Sequence, residues 1–216
     1  MTTIDKISLE CPVCKNTFPT EVTTSYNQFG QATDLRPNTM GNSLILYLMH
    51  SCTKCGYTGR ESDFENQDIP KRVKELIRDR ITPLVQDGYP TAAKRFEMAV
   101  WIAEGQGKPS LDIGYLYLHA AWCFQDDPPS KPCPSEEHYR RQAIDYFERA
   151  LEEEGLPHPT QLNLTYLIGE LFRRIGEKEK ASVWFERVVK LAGIDPEFKV
   201  FSDLAVRQNT APEENI

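Results

Sequence analysis

The chain has 216 residues, enough for one or two domains with a sizeable core. Hydrophobic residues make up 40% and charged residues 26%, the balance of an ordinary soluble globular protein and not of a disordered one. The formal net charge of −7 argues against broad nucleic-acid affinity, and the longest apolar run, Leu44 to Met49, is far too short to cross a bilayer.

The opening residues, MTTIDKISLECPVC, carry no basic-then-apolar leader, so the six cysteines are expected in a reducing cytoplasm where a disulfide framework is rare. Four of them form two pairs: Cys11 and Cys14, then Cys52 and Cys55 after a 37-residue interval. Each CxxC can form a tight turn that aims two sulfurs at one point, and two such turns supply the four thiolates of a tetrahedral zinc site. The interval is longer than a plain turn needs, so it is expected to hold strands in FPTEVTTSYNQFG and NSLILYLMHS. The competing readings are a redox dithiol, which lacks its strand–helix setting, and iron in the same cage. A catalytic zinc is disfavoured because four protein ligands leave no open position. His50 is a further candidate ligand, with a partly buried strand histidine the alternative.

After the polar connector RESDFENQDIP the apolar spacing changes to a helical period. Helices are expected over 70–88, 90–105, 110–125, 135–155, 160–176 and 177–193, and a last one over 195–208. The proline-rich DDPPSKPCPS separates the third from the fourth and carries Cys133, a candidate exposed thiol, whereas Cys123 is expected to pack inside its helix pair. The division expected is a four-cysteine zinc ribbon over 1–66, an α-helical domain over 67–206 and a polar tail over 207–216.

An internal spacing recurs in the helices. Ala92, Phe96 and Ala99 match Ala143, Phe147 and Ala150, and then Ala181, Phe185 and Val188, each trio placing a ring between small or branched residues on one helix face. Gly169, Phe172 and Gly176 precede the last trio. Residues 162–193 thus resemble a tetratricopeptide repeat, with a pair over 111–155 carrying an insertion and a first pair over 70–105 fitting only in its second helix. The alternative is an ordinary helical bundle. Combined with Cys11-Pro12-x-Cys14 and Cys52-x-x-Cys55-Gly56-Tyr57, the late segment YLIGELFRRIGEKEKASVWFERVVK resembles the bacterial family known as domain of unknown function 2225. That resemblance implies a small β zinc ribbon fused to an all-α tetratricopeptide-like domain, and a bacterial origin. It implies no reaction.

No Gly-rich phosphate loop, GxSxG or HExxH occurs, and the four histidines are scattered, so a non-enzymatic role is expected. Stacked helix pairs suit a concave surface that holds a protein or peptide. By resemblance its lining is Asn163, Tyr166, Glu170, Arg173 and Arg174, with Tyr115, Leu118 and Trp122 as counterparts in the middle pair. Packing of Tyr166 and Trp122 between helices is the competing reading. Self-association through the stack ends is a further expectation. The second functional class is nucleic-acid binding by the ribbon and the basic helix KRVKELIRDR, residues 71–80. Against it, residues 1–66 carry five Lys/Arg and seven Asp/Glu, and Glu75 and Asp79 lie where they can pair with the helix's own bases.

Overall fold

The computed structural model describes residues 2–66, 68–86, 88–126, 134–193 and 195–216. Small β-hairpins with a four-cysteine cluster come first, followed by a mostly helical part of about six packed helices. Cys133 and most of the proline-rich loop lie outside the described residues. The chain divides into two compact units: residues 1–28, 39–108 and 115–139 in the first, and 29–38, 109–114 and 140–216 in the second. Residues 29–38, which in sequence lie between the cysteine pairs, therefore belong with the later helices.

In the first unit β1 (Thr3–Glu10) pairs antiparallel with β2 (Thr17–Ser25), Leu9 opposite Phe18. β1 was not among the expected strands, although Ile7 and Leu9 already mark its alternation. In sequence two short paired strands follow, β3 (Gln28–Gln31) and β4 (Pro37–Thr39), whose residues 29–38 belong to the second unit; back in the first, β5 (His50–Ser51) pairs with β6 (Thr58–Gly59). The run NSLILYLMHS is a correction to the expected strand: Leu44–Tyr47 forms a 3-10 turn, and only His50–Ser51 is extended. Its apolar run has no period-two alternation. Its carbonyls are instead claimed from elsewhere, since the Arg95 guanidinium donates to Leu46 O, Met49 O and Pro90 O.

α1 (Lys71–Leu76) continues through one wide π turn, Ile77–Ile81, into α2 (Thr82–Gln86). Pro83 explains the wide turn. Its ring would strike the carbonyl four residues back in a regular helix. Thr82 N–H therefore reaches Ile77 O, and the Thr82 hydroxyl, with one proton to give, lies 2.8 Å from Cys55 O and 3.0 Å from Ile77 O. α3 (Ala92–Gln106) is capped by Thr91, whose hydroxyl accepts from Lys94 N–H, and ends at Gly107 with φ 72°.

The remaining helices are α4 (Ser110–Asp126), α5 (Glu136–Glu153), α6 (His158–Arg174), α7 (Lys178–Ala192) and α8 (Lys199–Thr210). The repeated rings Phe96, Phe147 and Phe185 are all at most 1% exposed, which is why each is flanked by alanine or valine on its face. In the second unit a single device packs two helix pairs. A Cβ at Gly114 would stand 2.6 Å from the Phe147 ring, and one at Gly169 would stand 3.0 Å from the Phe185 ring. The glycine of one helix is thus the seat of the next helix's phenylalanine. No helix among the described residues is long and apolar enough to cross a membrane.

Candidate functional site

Each cysteine pair closes on itself through the same two backbone hydrogen bonds. Cys11 N–H donates to Asn16 O and Lys15 N–H to Cys11 O, both at 2.9 Å. Cys52 N–H donates to Tyr57 O at 2.9 Å and Gly56 N–H to Cys52 O at 2.8 Å. The residue after the second cysteine turns through the left-handed region in both, Lys15 at φ 57° and Gly56 at φ 78°. Gly56 has two reasons to be glycine, since a Cβ there would also lie 2.7 Å from Ile81 Cγ2. Lys15 adopts the same conformation with a side chain, at a local strain of about 1 kcal/mol.

The two loops bring all four sulfurs within 4.8 Å of one another. Cys11 Sγ lies 3.5 Å from Cys55 Sγ, and Cys14 Sγ lies 3.6 Å from Cys52 Sγ. Four sulfurs about 2.3 Å from a central ion stand about 3.8 Å apart in a tetrahedron, so this cluster has the dimensions of a metal cage. Asn16 Nδ2 donates to Cys52 Sγ at 3.9 Å, an outer contact of the kind that steadies a ligand. Among themselves the thiols share charge unequally. Hydrogen bonds from Cys11 and Cys55 hold Cys52 well below the ordinary thiol range. The bond to Cys52 pushes Cys11 up to about 12, and the bonds to Cys11 and Cys52 push Cys55 up as well. A divalent cation reverses this, because coordinating thiols are deprotonated outright. His50 stands outside the cluster: its Nδ1 is 2.9 Å from Thr20 Oγ1, and burial, with Arg95 nearby, lowers its pKa to about 4.

The other residues singled out from the sequence lie mainly on α6, in the second unit, and the chain itself covers them. Tyr166 is fully buried and donates its hydroxyl to Thr33 O at 2.8 Å. Glu170, also fully buried, accepts from the Thr33 hydroxyl at 2.6 Å, from Arg173 Nε at 2.8 Å and from Arg174 Nε at 2.8 Å. Asp34, fully buried, pairs with Arg140 Nη1 at 3.2 Å and Arg174 Nε at 3.5 Å. Glu214 completes the set, with Oε1 2.9 Å from Arg173 Nη2 and Oε2 2.9 Å from Arg174 Nη1. Three guanidinium groups thus face three carboxylates. Asn163 is half-buried, and its Oδ1 has no hydrogen-bond partner among the described residues.

Trp122 belongs to the first unit, where its ring packs 5.0 Å from that of His119, which is 6.4 Å from Tyr115. Leu118 is fully buried there. Thr33, Asp34, Arg140 and Glu214 escaped sequence reasoning. Nothing local marks them, since their partners in this network lie 40 to 181 positions away.

Comparison with curated proteins gives no match, and comparison with solved structures gives none. A model of one protein family matches residues 4–209, nearly the whole chain. The chain belongs to that family, described as "Uncharacterized protein conserved in bacteria (DUF2225)".

Proposed function

We propose that this is a non-enzymatic interaction protein, with a structural zinc ribbon and a tetratricopeptide-like stack whose α6 face holds an extended protein segment. One observation carries the reading. The positions expected to line a binding groove, Tyr166, Glu170, Arg173 and Arg174, already hold polypeptide, the turn at Thr33–Asp34 and the tail residue Glu214 of the same chain. The repeated glycine-to-phenylalanine seats, Gly114 with Phe147 and Gly169 with Phe185, support the repeat assignment of the helices.

Zinc is the ion proposed for Cys11, Cys14, Cys52 and Cys55, because a closed four-thiolate cage suits a structural zinc ion and leaves no position for a reacting water. Iron in the same cage would declare itself by colour, and metal analysis of natively purified protein separates the two. The nucleic-acid alternative is weakened by the basic helix, three of whose five basic residues are already engaged. Lys71 pairs with Glu75 at 3.8 Å, Arg78 with Asp79 at 2.6 Å, and Arg80 lies 3.6 Å from the centre of the Trp101 ring.

The test is affinity capture from native lysate of the protein and its Arg173→Gln variant, with and without nuclease. The reading expects a protein partner that survives nuclease and is lost in the variant. Partners that vanish with nuclease and persist in the variant would transfer the function to nucleic acid.

A further inference from the structure

Three features of the second unit point to a displaceable occupant on α6 and to the chemistry of what replaces it. First, the tail is held through its backbone. Ala32 and Asn215 form an antiparallel bridge, Thr33 N–H donates to Glu214 O at 3.0 Å, and Ile216 N–H donates to Gln31 O at 2.8 Å. Main-chain bonds of this kind accept any extended segment. Gly30 permits the close approach, since a Cβ there would stand 3.0 Å from Ile216 O.

Second, the tail buries almost nothing. Every residue from Asn209 to Ile216 is exposed, so little apolar contact opposes its release, and such segments open at low free energy. Third, the carboxylate of the tail residue Glu214 sits against two guanidinium groups, those of Arg173 and Arg174. Arg140, Arg173 and Arg174 face Asp34 and Glu170, both fully buried, and Glu214, whose side chain is 63% exposed. Departure of Glu214 takes a carboxylate from both Arg173 and Arg174, beside the backbone groups of Gln31 and Thr33 that the tail had bonded.

We propose that residues 211–216 are a competitive latch, and that the partner is an extended acidic segment of another protein. That segment adds to the Gln31–Thr33 edge and places a carboxylate between Arg173 and Arg174. The proposal rests on the α6 reading above and adds both its regulation and the partner's chemistry.

Fluorescence anisotropy tests it, with a labelled peptide of the sequence NTAPEENI and a second peptide in which both glutamates are glutamine. The proteins are the full chain, a chain lacking residues 211–216, and full-length Glu214→Gln, with circular dichroism confirming helicity. The expected result is at least tenfold tighter binding of the acidic peptide to the shortened chain than to the full chain, an intermediate gain in Glu214→Gln, and a loss of tenfold or more with the glutamine peptide. Equal affinity in all three proteins, equal affinity for the two peptides, or no binding to the shortened chain would each overturn the latch. None of these would touch the α6 reading, which falls only if the protein partner captured from lysate is indifferent to Arg173→Gln.

Discussion

Tyr166 reaches across 133 positions of sequence to donate its hydroxyl to Thr33 O at 2.8 Å. The contact fixes a loop from between the cysteine pairs onto a helix near the other end of the chain. Beside it, Leu35 sits at φ 65° in the tight turn that presents Thr33 and Asp34. Replacing Tyr166 with phenylalanine strips a fully buried carbonyl of one partner, which is expected to destabilise the second unit by about 1–3 kcal/mol. Asp34→Asn should cost more, about 3–5 kcal/mol, because it removes the buried carboxylate charge that Arg140 and Arg174 both face. Urea unfolding followed by helical signal measures both, and equal effects would mean that the charge network contributes no more than one neutral hydrogen bond.

The cysteine cluster should govern the hairpins. The β part has few large buried side chains, with Phe18, Ile45, Tyr57 and Phe64 carrying most of its apolar burial. Metal binding to four thiolates supplies folding free energy on the order of 10 kcal/mol at neutral pH. Cys52→Ser, or a strong chelator, should open residues 3–25 and 50–59 to protease while most of the helical signal persists. Unchanged protease resistance in the variant would show that the hairpins stand without the ion.

The two turns differ at the residue that follows the second cysteine, Lys15 in one and Gly56 in the other, and the difference is measurable. Lys15→Gly removes the strain of a left-handed lysine and forfeits an exposed pair with Glu10 at 3.8 Å. A more flexible unfolded chain offsets part of the gain. The net expectation is a stabilisation of a few tenths to about 1 kcal/mol. Gly56→Ala should destabilise by about 1–3 kcal/mol, since it combines the same strain with a clash at Ile81. Chelator resistance of the two variants should follow the same order.

His119 lies among the rings of Phe96, Tyr115 and Trp122, with its Nδ1 buried and without a hydrogen-bond partner among the described residues. Burial, with a smaller contribution from Arg60, lowers its pKa to about 4 from the ordinary 6.5. The folded state therefore resists the proton. The corresponding stability is fully present above about pH 6.5 and is lost as pH falls toward 4, amounting to at most about 3 kcal/mol at 1.36 kcal/mol per unit. In His119→Gln the loss of stability between pH 6.5 and 4.5 should be shallower, whatever the variant's stability at neutral pH. An identical slope would place the acid sensitivity elsewhere, as at His50 or the thiols.

What could be read from the sequence was local. The cysteine turns are closed by bonds spanning four or five residues, and the spacing of Cys11, Cys14, Cys52 and Cys55 was sufficient to expect the cluster. Helices α6 and α7 were legible for the same reason, through period and capping residues. A further sign was available and overlooked: Ile113-Gly114-x-Leu116-Tyr117 and Ile168-Gly169-x-Leu171-Phe172 share one pattern, and their glycines seat Phe147 and Phe185. The run at Leu44–Tyr47 misled because a short apolar stretch does not choose between strand and turn until Arg95 claims its carbonyls. The seating of Thr33, Asp34 and Glu214 on α6 had no local signal at all, because contacts across more than forty positions leave no period in the sequence.

The central claim is that the α6 face of the second unit is where this protein holds another protein. The most direct measurement is photo-crosslinking in cells, with a benzophenone amino acid at Asn38, beside the tail, and in parallel at Val183, which is 65% exposed on α7. The account predicts a discrete protein crosslinked from position 38, absent from position 183 and lost when Arg173→Gln is added. The same adducts from both positions, or adducts indifferent to Arg173, would contradict it.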